Sequence, residues 1–326
     1  EALPRLLDYP HGCDEQVSAR VLAYALMADL LDTLPDGADR TPEYRRRVEA
    51  GLAALARAQL PGGDMPYWPG QKEADPFVTI QTAWAAAEAA RSGFRVSPGF
   101  ADELQAALRR IARRGERVRV DPVLRAFALM VSATLDPAKR LRAEALDVYQ
   151  QRDALGDDGR AFLALALRRF GIMPDEQRQL LAELGTAPAA DSFAPATFAS
   201  SARTAALRLL ARVEIAGAER TEAERTEQRR LFDELLAGST NFSTQENLWL
   251  LLAFRAFVRD EGGTAPQLAD VPDPRMRRSP DGRSAGWYDV PLAELPSLLA
   301  RAAAPGAAGG SYLLRAAYRL DEPERR

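Results

Sequence analysis

DPFVTIQTAWAAAEAA, residues 75–90, decides the fold. It begins with Asp75, whose carboxylate can cap the first free backbone amides of a helix. Pro76 follows at the first helical position, where its missing N–H costs nothing. Then come the Ala and the bulky apolar side chains that favour a buried helix. The pattern recurs as DPVLRAFALMVSA (121–133), DDGRAFLALALRRF (157–170), SSARTAALRLLARV (200–213) and STQENLWLLLAFRAF (243–257). With VSARVLAYALMADLL (17–31) there are six such apolar helices. Their starts lie roughly 36 to 58 residues apart, the size of a helical hairpin repeat. More charged helices stand between them, such as PEYRRRVEAGLAALARAQ (42–59) and AERTEQRRLFDELLAG (223–238). An apolar helix alternating with an amphipathic one makes two layers, apolar inside and amphipathic outside. The expectation is a mainly α fold, an α/α toroid of about six helical hairpins. Closure is favoured over an open solenoid because neither end carries a polar-faced capping repeat.

After Gly262-Gly263 the character changes. Residues 264–283 are rich in Pro, Asp and Arg and read as a linker. Trp287-Tyr288-Asp289-Val290 and the segment Ser311 to Tyr318 read as a short C-terminal β segment. The expected division is 1–262 for the helical domain and 263–326 for a linker with part of a neighbouring β domain. The opening EALPRLLDYP lacks an initiator Met and reads as the middle of a longer chain.

Composition narrows the function. The net charge of −3 gives no basis for a nucleic-acid partner. No apolar run reaches the length of a membrane span. The sequence has one cysteine, Cys13, and one histidine, His11, which excludes an internal disulfide and an ordinary Cys/His zinc site. No metal and no cofactor are expected. The basic residues number 43, and only Lys72 and Lys139 among them are lysines.

The unusual site is Tyr9-Pro10-His11-Gly12-Cys13-Asp14-Glu15-Gln16, just before the first apolar helix. Three positions apart at a forming helix, Cys13 and Gln16 share a face. Gly12 allows a tight turn before them. A helix N-terminus lowers a thiol pKa and supports developing negative charge. The Cys13 thiolate could then attack the Gln16 carboxamide, expel ammonia and leave an internal thioester, with backbone amides stabilising the oxyanion. Spacing alone leaves a buried structural cysteine as the commoner alternative. Met65, Tyr67 and Trp68 form a cluster in the Gly62-Gly63 loop that either shields a labile bond or simply packs a hairpin turn. Gln245, Glu246 and Asn247 are expected to make buried hydrogen bonds at the start of the last inner helix.

YPHGCDEQ followed by an Ala/Leu-rich helix resembles the thioester motif of the alpha-2-macroglobulin and complement family, and of its bacterial branch in particular. Three further stretches resemble that branch, in the same order: Gly62-Gly63 through Tyr67-Trp68-Pro69, ADPFVTIQTAWAAAEAARSGF (74–94) and STQENLWLLLA (243–253). The resemblance covers most of residues 1–260. It implies a six-hairpin toroid and a protease inhibitor rather than an enzyme. A protease cuts a bait region elsewhere, the Cys13–Gln16 thioester becomes accessible, and a Lys amine of the protease is acylated by Gln16. Gly12, Glu15, His11, Met65, Tyr67 and Trp68 would support that bond. It implies as partners host or competitor proteases, other domains of the same longer chain and a peptidoglycan synthase. It also implies a periplasmic parent protein anchored by lipid to the inner membrane. His11 departs from the pattern, replacing an aromatic residue. Asp14 puts a carboxylate at the variable position, where it either opposes thiolate formation or caps the helix.

Two other classes compete. One is an enzyme on an α/α toroid. The chain lacks the ligands of the zinc-dependent toroid enzymes, and Asp157-Asp158 has the wrong neighbours for a terpene cyclase. A glycosidase pair of carboxylates stays open. The other class is a non-covalent interaction scaffold with a plain thiol.

Overall fold

The computed structural model describes residues 12–31, 37–113, 120–185, 198–216, 220–237 and 243–260. All of them fall in one compact unit, Glu1–Glu261. The segments expected to be strands after residue 284 lie outside the described residues, as does the linker.

Among the described residues the chain is mainly helical and has no strands, with eleven α-helices: α1 (Asp14–Leu31), α2 (Gly37–Ala58), α3 (Pro76–Arg91), α4 (Pro98–Ala112), α5 (Pro122–Leu135), α6 (Arg142–Tyr149), α7 (Gly156–Phe170), α8 (Pro174–Glu183), α9 (Ser201–Ala216), α10 (Glu222–Ala237) and α11 (Thr244–Asp260). The starts follow the capping chemistry. Asp75 accepts from the Val78 amide at 3.0 Å and Asp121 from the Val123 amide at 2.8 Å, each before a Pro at the first helical position. Ser243 and Glu246 form a reciprocal capping box: the Ser243 amide donates to Glu246 Oε2 at 2.7 Å, and the Glu246 amide donates to Ser243 Oγ at 3.3 Å.

The odd-numbered helices form the inner layer. Each packs on the next, and α11 packs back on α1, so the ring closes. The even-numbered helices pack outside: α2 on α1, α4 on α3 and α5, α6 on α5 and α7, α8 on α7, α10 on α9 and α11. This arrangement is consistent with an α/α toroid. Five hairpins are complete among the described residues, and α11 supplies the inner helix of the sixth.

Large rings fill the axis. Phe127 stacks on Phe162 with ring centres 4.7 Å apart, Phe77 lies 5.4 Å from Phe127, and Trp249 lies 5.4 Å from Phe162 and 5.7 Å from Trp84. The inner helices run the same way. Their first turns meet at one end, where Gln245 of α11 reaches Glu15 of α1 and Ser200 before α9 reaches Glu246 of α11. Their last turns share a cavity of about 470 Å³ at the other end, bordered by Leu26, Glu88, Thr134, Arg169, Glu214 and Ala256. The Cys13 motif therefore sits at the N-terminal end of the inner barrel. No described helix is long and apolar enough to cross a membrane.

Candidate functional site

Cys13 is the residue immediately before α1, so it occupies the helix cap, and Gln16 is the third residue of the helix. This is the spacing of a capping box. It brings the cap residue and the third helical side chain together whatever their chemistry. The sequence expectation placed both side chains on one helical face; in the structure Cys13 is the cap residue and Gln16 the third helical residue. The backbone amides of Gln16 and Glu15 and the Tyr67 hydroxyl lie near Cys13 Sγ and favour its charged form.

These donors do not lower the thiol pKa overall. Cys13 is buried, and desolvation pushes its thiol up, helped by the Glu15 carboxylate; the amides and Tyr67 offset only part of this. The expectation of a depressed pKa at a helix start is corrected by burial. A neutral thiol needs a base before it can attack an amide. Glu15 lies within reach: the Cys13 S–H donates to Glu15 Oε2 at 3.8 Å. Burial raises the Glu15 pKa as well, against the lowering effects of its contacts with Gln245, Cys13 and Arg203.

The Gln16 carboxamide oxygen is buried without a hydrogen-bond partner. An unpaired buried amide oxygen costs about 1–3 kcal/mol. A thioester carbonyl is a weaker acceptor than an amide carbonyl, so the same pocket penalises it less. The site thus holds a thiol, a carboxylate on its proton, and an acyl group that gains by conversion.

The remaining motif residues are placed as follows. Tyr67 is half-buried, and its backbone carbonyl takes the Asp14 amide at 3.0 Å, tying the loop to the first turn of α1. Burial, with the nearby Cys13, pushes its hydroxyl pKa up to about 12. Its ring stacks on Phe198 at 6.1 Å. Met65 is fully buried behind it. Trp68 stands 48% exposed, its ring edge-on to Tyr67. Gly12 is exposed, and a Cβ there would meet Val17 and Arg20 only at ordinary contact distances of 3.5 and 3.9 Å. Gly12 was expected to allow a tight turn here; its φ is not among the positive ones of the described residues. Asp14 does not cap the helix: it is the first helical residue, its Oδ2 is buried without a partner, and burial raises its pKa from 3.8 to about 6. His11 lies outside the described residues.

Several neighbours were less visible in the sequence. Gln81 of α3 donates to the Glu15 carbonyl and to Ser18 Oγ, both at 2.9 Å. Gln245 donates to Glu15 Oε1 at 2.5 Å and to Gln81 Oε1 at 2.7 Å, while its own carbonyl takes the Trp249 indole N–H at 3.2 Å. Arg203 is fully buried near Glu15, paired with Asp158 at 3.5 Å and surrounded by the Phe77, Phe162 and Trp249 rings. One signal was available: Gln81 and Arg203 are polar residues inside segments otherwise apolar enough to be buried. Among the described residues no cluster of His, Cys, Asp and Glu could hold a metal ion.

No family model matches the chain. A curated relative, the alpha-2-macroglobulin of Xylella fastidiosa (strain Temecula1 / ATCC 700964), is 31% identical over 111 residues, which is 34% of this chain and 7% of the relative. Among solved structures, native Escherichia coli alpha-2-macroglobulin spanning domain MG7 to the C-terminus matches with a TM-score of 0.64 at 21% identity, over 79% of this chain and 42% of that one. Salmonella alpha-2-macroglobulin reacted with methylamine matches with a TM-score of 0.64 at 21% identity, over 78% of this chain and 17% of that one. Trypsin-activated Escherichia coli alpha-2-macroglobulin matches with a TM-score of 0.57 at 18% identity, over 76% and 17%. The chain thus spans less than half the length of each of these proteins. In fold it corresponds to a C-terminal region of the bacterial alpha-2-macroglobulins, and a curated protein of that name is its sequence relative over 111 residues.

Proposed function

We propose that the chain is the thioester-bearing helical module of an alpha-2-macroglobulin-type protease inhibitor. The observation that carries this reading is a buried thiol whose S–H rests on Glu15, beside a buried Gln16 carboxamide oxygen without a partner, at the start of one helix. Formation of the bond joins Cys13 Sγ to Gln16 Cδ and releases the amide nitrogen as ammonia. Capture reverses the polarity of the exchange. A Lys amine of the protease attacks the Gln16 carbonyl, an isopeptide bond forms, and Cys13 leaves as a thiol. The Salmonella relative reacted with methylamine and the Escherichia coli relative activated by trypsin support a reading in which an amine reacts and a protease activates. Proteases, together with further domains of a longer chain, are the partners proposed. A periplasmic site, a lipid anchor and a peptidoglycan synthase partner rest on the family resemblance alone.

The test is intact mass and thiol titration on fresh protein, before and after methylamine. Wild type should be one ammonia lighter than its sequence, with a blocked thiol that methylamine releases. Cys13→Ser and Gln16→Glu should fold yet take up no amine, since each changes few atoms at a helix end. A wild-type thiol that titrates fully from the outset would leave the plain-thiol scaffold in its place.

A further inference from the structure

Gln245 lies at the start of the last inner helix, 230 residues from Glu15 in sequence, and it is nearly fully buried. Its amide orientation is fixed from behind. Because its carbonyl takes the Trp249 N–H, its NH₂ group must face Glu15 Oε1 and Gln81 Oε1. Gln81 in turn holds the Glu15 backbone carbonyl. Glu15 is thereby gripped at two points, and its second carboxylate oxygen, Oε2, is the one turned to the Cys13 thiol. Both gripping residues, and the Trp249 that orients one of them, come from helices other than α1. Gln81 belongs to α3, while Gln245 and Trp249 belong to α11, the helix that closes the ring on α1.

From this geometry we infer that Gln245 is a positioning residue for thioester formation, holding Glu15 as the proton carrier and tying bond formation to closure of the helical ring. The inference rests on the thioester reading above. The step balances as follows. Glu15 Oε2 takes the Cys13 proton as Sγ bonds to Gln16 Cδ. The tetrahedral carbon then expels the amide nitrogen, Glu15 returns the proton to it, and ammonia leaves. No oxidant or other reagent takes part. An open ring leaves Glu15 without Gln245, so a partly folded chain keeps its thiol and its amide until α11 docks. The reactive bond then forms only in a molecule already able to shelter it.

The experiment follows thiol loss by titration, with intact mass, while the full chain refolds from denaturant, for wild type, Gln245→Met, Trp249→Phe and Glu15→Gln. Wild type must first form the bond; if it does not, the thioester reading itself fails, independently of Gln245. Given a wild-type bond, Gln245→Met keeps the length and packing of the side chain but cannot donate. It should slow bond formation about tenfold or more at unchanged helix content, a fraction of the usual worth of a positioned general acid–base. Trp249→Phe, which frees the Gln245 amide to turn over, should slow it by a smaller factor. In the Glu15→Gln background, where no proton carrier remains, adding Gln245→Met should cause no further slowing. Wild-type rates in folded Gln245→Met overturn the inference, as does full additivity of the two substitutions. If Gln245→Met fails to fold, a wild-type rate in Trp249→Phe overturns it instead.

Discussion

Cys13 and Asp14 are neighbours with opposite claims on the first turn of α1. The cap position sets Cys13 near the amides of Glu15 and Gln16, which favour a negative charge on the sulfur. Asp14 stands one residue later, where the helix end favours a negative charge, but burial outweighs that favour and raises its pKa to about 6. The stability consequence has the opposite sign to that of an ordinary ion-paired aspartate. A carboxyl whose folded-state pKa lies above its usual 3.8 binds its proton more tightly when folded. Its contribution is complete below about pH 4 and is lost as pH rises through about 6. Asp14→Asn removes this loss. The variant should be more stable than wild type at pH 7.5 by on the order of 1–3 kcal/mol, with the difference vanishing toward pH 4. Denaturant unfolding at several pH values from 4 to 7.5 measures it, and parallel curves for the two proteins would refute it. The charge was legible in the sequence as a departure from the motif. Its penalty was not, because burial at this position depends on the loop that covers it.

The loop between α2 and α3 is that cover, and its shape depends on Gly63. This residue has φ of +92°, and a Cβ on it would lie 2.2 Å from the Glu103 carbonyl oxygen of α4. The neighbouring contacts hold the same approach: Arg110 donates to the Gly62 carbonyl at 2.7 Å and pairs with Asp64 at 2.8 Å, and the Met65 carbonyl takes the Asp75 amide at 2.7 Å. Gly63→Ala must push the loop off α4 and should cost about 3 kcal/mol or more, from backbone strain together with the clash. Because the displaced loop carries Tyr67 away from Cys13, the thiol of the folded fraction should become titratable. Gly12→Ala is the matched control, expected to change stability by no more than about 0.5 kcal/mol, since its Cβ has room. Thermal melts and thiol titration on the pair check this, and equal effects of the two substitutions would contradict it. The contrast also shows what kind of element is readable from sequence. The Asp75 and Asp121 caps were legible because capping is a local matter of residue type and offset. The need for glycine at position 63 was not legible, because a close approach depends on which helix lies opposite, and that is decided across about 40 residues of chain.

At the scale of the whole molecule, the repeat of apolar helix starts was enough to expect an inner and an outer layer, since hydrophobic pattern determines which helices are covered. The polar thread from Trp249 through Gln245 to Glu15 was only partly legible. Its members are far apart in sequence and meet because the ring closes. That closure also limits which chemistry the site can direct outward. The sequence has one histidine, His11, which precedes Cys13, and no histidine follows on any later helix. Transfer of the Gln16 acyl group to a hydroxyl therefore has no downstream imidazole to form an acyl intermediate or to take the alcohol's proton. Glu15 is buried and held at Oε1 by Gln245, so an alcohol arriving from solvent does not reach it. An amine needs no such help, because its free base is nucleophilic in itself. The opened bond should thus prefer amines to alcohols strongly. Methylamine should label Gln16 at least about a hundredfold faster than glycerol at equal concentration, the usual worth of the missing base. The amine rate should climb with pH between 7 and 9, because the free-base fraction grows toward an amine pKa of about 10.4. The glycerol rate should stay low across the same range. Intact mass with peptide mapping of Gln16 at several pH values gives both rates, and comparable labelling by the two nucleophiles would mean that another group in the site activates hydroxyls.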